Sequence, residues 1–180
     1  LESQFWSFWS EHGRVSKRPS RIALYYGRDF EVPVQRLAPR LREQGCSVVY
    51  PRVHLDPAAE QSRSLRFYEV RDEENDLEWV EYQGAAQNKI LLREPKLSLP
   101  QILISEITWF LVPGLAFDSQ HSRLGFGKGD YDRALAEGSS AQNRITLSLA
   151  YQEQLSLDAL PLDPWDVRVD QVFWPQPIKR

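Results

Sequence analysis

The sequence has 180 residues, 42% hydrophobic and 26% charged, which suits one soluble domain with a sizeable core. A net charge of −3 supplies no global basic field and argues against a nucleic-acid partner, so an anionic substrate has to be met by a local cluster of basic groups. The single cysteine, Cys46, excludes an internal disulfide; with no apolar run near the ~20 residues that span a bilayer and no visible signal peptide, a monomeric cytoplasmic protein with no membrane partner is expected.

Leu1, Phe5, Phe8 and Trp9 recur at helical spacing, and Gly13 stands where that helix would end. Residues 14–21 read as a polar, basic linker, and residues 22–26 as a short buried strand. Val34, Leu37, Ala38 and Leu41 mark one face of a helix, with Gly45 just past its end. Cys46 then reads as a small buried hydrophobe where the helix gives way to a strand over 47–50, which Pro51 is expected to stop. This is one β-α-β unit, the sequence sign of a parallel sheet.

A loop follows over 54–64. Residues 65–70 and 77–82 flank the acidic run 71–76, which suggests a hairpin or a strand pair at a sheet edge. Residues 102–112 form the most apolar stretch and predict a helical turn and then a central strand, closed by Pro113. A glycine-rich loop covers 121–129. A short helix runs on through Ala136, with Gly138 beyond it, and 145–150 and 167–173 are two further strands. The expected fold is a single α/β domain over 1–180, a mainly parallel sheet sandwiched by helices.

The chemistry concentrates in one loop. Gly125, Gly127 and Gly129 sit between a strand and a helix, with Arg123 and Lys128 as two cations beside them. Glycines let backbone N–H groups approach a ligand, and a helix N-terminus favours an anion, so a phosphate chain is the natural guest. A tight turn explains the glycines equally well. The spacing matches neither a Walker loop nor the dinucleotide fingerprint. His12, His54 and His121 show no metal-ligand spacing with each other or with Cys46.

The string Pro113-Gly114-Leu115-Ala116-Phe117-Asp118, followed by Arg123-Leu124-Gly125-Phe126-Gly127-Lys128-Gly129 and Tyr131-Asp132-Arg133, closely resembles the signature of 5-formyltetrahydrofolate cyclo-ligases. Weaker likenesses extend over most of the chain, at residues 22–26 with Glu31-Val32, Pro51-Arg52-Val53, Glu94-Pro95, Trp165-Asp166 and Val169-Asp170. The resemblance implies a fold like that of sugar-phosphate isomerases and CoA transferases. It also implies ATP-dependent cyclisation of 5-formyltetrahydrofolate to 5,10-methenyltetrahydrofolate, with ADP and phosphate released.

Carried onto this sequence, the resemblance places Arg123, Leu124, Gly125, Phe126, Gly127, Lys128, Gly129, Asp130 and Tyr131 along the ATP phosphates. Lys128 and Arg123 act on the transferred phosphoryl group, and Asp132 and Asp166 hold Mg²⁺. Tyr26 and Glu31 contact the reduced folate, together with Phe126, Gly127, Lys128, Gly129 and Asp130. On the residues alone, Asp132 is equally a helix-start acid, Asp166 a turn residue, Glu31 a solvated residue and Tyr26 core.

Three departures from the pattern stand out. Asp130 replaces an aromatic and is expected to face solvent, which would leave the folate without one wall of its site. His121 replaces a glycine. The basic N-terminal segment expected to help hold ATP has no counterpart, and Lys17-Arg18 lies too near the first strand to substitute. These departures keep open a second reading, a non-catalytic paralog that binds a folate or nucleotide.

Overall fold

The computed structural model describes residues 1–13, 20–55, 63–83, 89–137 and 144–175. Residues 14–19 of the basic linker, with Lys17-Arg18, most of the loop after His54 and Gly138 lie outside them, and Arg21 begins a strand. Seven strands form the main sheet: β1 (Arg21–Ala23), β2 (Ser47–Leu55), β3 (Arg63–Glu69), β6 (Gln101–Ile102), β7 (Trp109–Leu111), β10 (Ile145–Leu149) and β11 (Gln171–Phe173). Their order is β11-β10-β7-β1-β2-β3-β6. The pairs from β11 to β2 are parallel, and β3 and β6 add on antiparallel.

Strand residues point alternately to the two faces of a sheet, and both faces here are covered. Ile22 and Leu24, Trp109 and Leu111, and Leu147 and Leu149 pack on one side, under helices α1 (Glu2–His12) and α2 (Ala38–Glu43). Ala23, Val49, Phe110 and Val112 pack on the other side with Ala134 and Leu135 of helix α4 (Asp130–Glu137). Helices on both faces of a mainly parallel sheet are the expected sandwich. The helix read from Val34 begins as a 3-10 turn, Val34–Leu37, before α2, and it stops at Gly45, whose φ of 82° suits a residue without a Cβ.

Pro51 does not stop its strand; β2 runs through it to Leu55. The reason is sidedness. Val48 accepts from Val70 N–H on the β3 side, while Val49 accepts from Leu24 N–H on the β1 side. By alternation residue 51 also faces β1, and β1 has already ended, so the missing N–H costs no ladder bond. Likewise, 65–70 and 77–82 do not form a hairpin. The acidic run makes a one-turn helix, α3 (Glu73–Asp76), whose start is capped by the Asp72 carboxylate on Glu74 N–H at 2.9 Å. β4 (Leu77–Gln83) then pairs with β5 (Lys89–Pro95), a strand the sequence reading lacks.

No helix among the described residues is long and apolar enough to cross a membrane. Helix α1 docks through aromatics. Phe5 is fully buried, and the Trp9 ring lies 4.8 Å from that of Trp109 on β7. Phe5→Ala should therefore cost about 3–5 kcal/mol of stability, the range for deleting a buried ring. Urea unfolding at fixed pH measures it, and a loss under about 1 kcal/mol would mean that α1 is peripheral to the core.

Candidate active site

Chain order in the sheet reverses between β1 and β7. From β1 the chain moves out to β2 and β3, then returns to β7 on the other side of β1 and continues to β10 and β11. The two parallel strands part at their C-terminal ends, which leaves a crevice there, the usual ligand position in open α/β sheets. The loop after β1 carries Tyr26 and Glu31, and the segment after β7 carries the glycine-rich string. Sequence-distant candidates therefore share one edge of the sheet.

The glycine-rich segment has its own scaffold. β8 (Ala116–Phe117) pairs with β9 (Arg123–Leu124). Asp118 pins the turn between them, with Oδ1 accepting from Gln120 N–H and Ser122 N–H and Oδ2 from Leu160 N–H, each at 2.9 Å. Burial pushes this carboxyl up, but the backbone donors outweigh it and hold it below the usual carboxylate range. His121 stands in this turn at φ 61°, a left-handed conformation that explains why the family pattern has glycine there. Gly127 and Gly129 also take positive φ, at 72° and 61°, so the chain turns twice around exposed Lys128. Gly129 O accepts from Arg133 N–H at 3.0 Å, which closes the first turn of α4.

Arg123 is nearly buried, its side chain 5% exposed, and donates to Asp132 Oδ1 at 2.8 Å. Its guanidinium carbon lies 5.8 Å from the Tyr131 ring centre, and its Nε is buried without a partner among the described residues. Asp132 Oδ1 also accepts from Val167 N–H at 3.2 Å, which brings the turn bearing Asp166 against the start of α4. Asp166 closes that turn, accepting from Asp163 N–H at 2.9 Å. The two predicted magnesium ligands thus sit on segments that touch. No group of three acidic, His or Cys ligands is present among the described residues. Two carboxylates still fit Mg²⁺, which commonly fills its octahedron with phosphate oxygens and water.

Tyr26 and Glu31 line the facing loop. Glu31 is 6% exposed, and its Oε2 accepts from Arg28 N–H at 3.0 Å. Burial raises its pKa, and the Arg28 N–H and guanidinium offset part of that rise. It is not a solvated residue. Burial and then Glu31 raise the hydroxyl pKa values of both Tyr25 and Tyr131, so Glu31 is electrostatically coupled to both loops. The Tyr26 hydroxyl accepts from Arg93 Nη1 at 3.2 Å, and the Arg93 guanidinium stacks on the Tyr26 and Trp79 rings. Glu94 lies 4% exposed behind this wall and takes the Tyr82 hydroxyl at 2.6 Å. Sequence reasoning missed Arg28, Arg63 and Arg93; Tyr26 and Glu31 on either side of Arg28, and the Glu94-Pro95 step beside Arg93, were the signals near them.

Asp130 corrects an expectation. It does not face solvent, its side chain being 15% exposed. Oδ2 takes Arg63 from the start of β3, and Oδ1 takes Arg133 one turn along α4, both at 2.8 Å. Both oxygens are already paired with guanidinium groups, so a direct nucleotide, folate or metal contact would have to share an oxygen with Arg63 or Arg133. The paired cations also offset the repulsion a bare carboxylate would exert on phosphates. Asp130→Asn should cost about 1–2 kcal/mol of stability by weakening two charge-assisted bonds. Asp130→Tyr should cost at least as much rather than improve the site, and thermal unfolding of both variants against wild type checks the order.

Residues 11–175 match the model of the 5-formyltetrahydrofolate cyclo-ligase family. The 5-formyltetrahydrofolate cyclo-ligase of Haemophilus influenzae is 32% identical over 152 residues, 84% of this chain and 73% of that protein. That of Escherichia coli is 27% identical over 159 residues, 87% of this chain and 79% of that protein. The solved structure of a 5,10-methenyltetrahydrofolate synthetase from Mycoplasma pneumoniae superposes with a TM-score of 0.65 at 22% identity, covering 94% of this chain and 79% of that one, and so shares the fold. The match over nearly the whole chain, with its signature string folded into one edge of the sheet, places this chain in the 5-formyltetrahydrofolate cyclo-ligase family.

Proposed function

We propose that this chain cyclises 5-formyltetrahydrofolate to 5,10-methenyltetrahydrofolate at the expense of ATP, as one domain over 1–180, a monomer in the reducing cytoplasm. The observation that carries the reading is the meeting of the Glu31 loop and the Arg123–Asp132 segment at the crevice between β1 and β7. Other support comes from the family and from the free, buried thiol of Cys46, which suits a reducing compartment.

The formyl group is an amide, and its oxygen is a poor leaving group. Attack of that oxygen on the γ-phosphorus, with ADP departing, turns it into a phosphate ester. The N10 lone pair then adds to the formyl carbon, phosphate leaves with the former formyl oxygen, and N10 loses its proton, which closes the ring. The protein's part is positioning and charge. The glycine loop offers N–H groups with Lys128 and Arg123 beside them. Tyr131 closes the phosphate side. Glu31 can accept from the amino and ring N–H donors of the pterin, beside Tyr26. Magnesium, held by Asp132 and Asp166, would supply countercharge to the phosphates. The non-catalytic reading loses its main support, because Arg63 and Arg133 neutralise Asp130.

Lys128→Ala should remove a charge-assisted contact worth about 1.5–3 kcal/mol, or about 10- to 100-fold in ATP affinity or turnover. The assay is methenyltetrahydrofolate absorbance with and without MgATP. Wild type with no ATP-dependent product, or a variant equal to wild type, would sink the reading.

Glu31 makes a prediction with a sign. Its folded pKa is raised, so the burial penalty on its charge is absent below the unfolded value and grows as pH rises through the folded one. Glu31→Gln should therefore be more stable than wild type at pH 7, and the gain should vanish below about pH 4. The same variant should raise the folate KM by about tenfold or more with little change in the ATP KM. Equal shifts in both KM values would assign Glu31 to the fold instead.

A further inference from the structure

The two loops that face each other across the crevice meet in a cluster of one guanidinium and two aromatic rings. Arg28, on the loop after β1, has its guanidinium carbon 4.9 Å from the centre of the Phe30 ring and 4.8 Å from that of Phe126. The two rings are themselves 5.6 Å apart, tilted by 56°. Phe30 belongs to the Arg28 loop, whereas Phe126 sits between Gly125 and Gly127. Both rings are well exposed, at 40% and 50%, so the stack is not part of the core.

The same Arg28 shapes the loop that bears Glu31. Its N–H donates to Glu31 Oε2 at 3.0 Å, and its carbonyl accepts from Glu31 N–H at 2.8 Å. One residue thus holds the buried carboxylate with its backbone and grips the glycine-rich loop with its side chain. A guanidinium suits this task because its flat face stacks on aromatic rings while it keeps its charge at any ordinary pH. Gly127 follows Phe126 at φ 72°, so the position of the ring depends on the backbone turn that also presents Lys128. A nucleotide that orders this turn orders the Phe126 ring with it, and through Arg28 the Glu31 loop.

We propose that Arg28, packed against both Phe30 and Phe126, is a positioning residue that couples the two halves of the site, so that nucleotide on the glycine-rich loop and reduced folate at Glu31 bind with positive cooperativity. This rests on the function proposed above. Coupling between two ligands is reciprocal, so each should tighten the other by the same factor. An exposed cation–π stack accounts for a factor of about 2–5.

The test is calorimetric titration of 5-formyltetrahydrofolate with and without a non-hydrolysable β,γ-methylene ATP analogue, and the reverse titration. Wild type should show mutual tightening. Arg28→Ala and Phe126→Ala should each lower that factor about 2- to 5-fold, and the double variant should be no worse than either single one. Arg28→Lys keeps the charge without the flat face and should fail to restore the factor. Thermal unfolding checks that these exposed changes leave the fold intact. An unchanged factor in Arg28→Ala, additive losses in the double variant, or rescue by lysine overturns the coupling role. If wild type turns over and binds both ligands without cooperativity, this inference alone fails. If it binds neither and forms no product, the proposed function fails with it.

Discussion

The parallel pairing of β1 with β7, at the point where chain order reverses, is the constraint on which the rest of this molecule depends. Parallel strands deliver their C-terminal ends to one edge of a sheet. At a reversal the two following segments leave in opposite directions and open a crevice. Residues more than ninety positions apart, Glu31 and Arg123, reach one region for this reason and need no long-range contact of their own to arrive there. The sheet core fixes the strands, with Ile22, Ala23, Phe110 and Leu111 all at or below 1% exposure. What the loops must add is fine positioning.

Guanidinium groups supply much of it. Arg123 ties the glycine-rich segment to α4 through Asp132, Arg63 and Arg133 tie the start of α4 to β3 through Asp130, and Arg93 braces Tyr26 from β5. A planar, permanently charged fork holds a carboxylate in one geometry better than a lysine would. The Arg123–Asp132 pair is more buried than either Asp130 pair, at 5% and 14% side-chain exposure. Such a pair gains little net stability over an apolar substitute, but loss of either partner strands a buried charge. Its value here lies in orientation, since Asp132 also holds Val167 N–H and with it the turn that bears Asp166.

Much of this was legible in the sequence, for physical reasons. The helical period of α1 and α2, the left-handed glycine after α2 and the apolar central strand are local signals, and each landed where expected. The glycine-rich string could be placed between a strand and a helix because turn chemistry is also local. Pro51 was misread because a strand's two hydrogen-bonding sides are not visible in one sequence. The acidic run 71–76 does not read as a helix because its one turn is too short to show a period; Asp72 capping is local, whereas the Arg42–Glu73 pair, 2.6 Å long and 31 residues apart, is a tertiary fact. Lys89–Pro95 has only the short apolar run Ile90-Leu91-Leu92, set between charged residues with Pro95 at its end, so it carries no clear period of two. Glu31 and Asp130 both read as solvated because burial of a carboxylate is a tertiary outcome: the loop of Glu31 folds onto the sheet edge with Arg28 beside it, and Arg63 reaches Asp130 from β3.

The two departures from the family signature are absorbed locally, and the manner of absorption bears on function. His121 takes the left-handed turn position at φ 61° while Asp118 pins the backbone around it. Asp130 gives up an aromatic wall and gains two guanidinium partners, so the start of α4 stays anchored to β3. Neither adjustment disturbs Arg123, Asp132 or Glu31. Burial of Glu31 disfavours its charge, and relaxation of an unused site would be expected to expose or neutralise such a group. The buried carboxylate is instead bonded by the residue that stacks on the glycine-rich loop. A buried acid, bonded in place by the loop that meets the glycine-rich segment, is easier to reconcile with a working substrate site than with a relic of one.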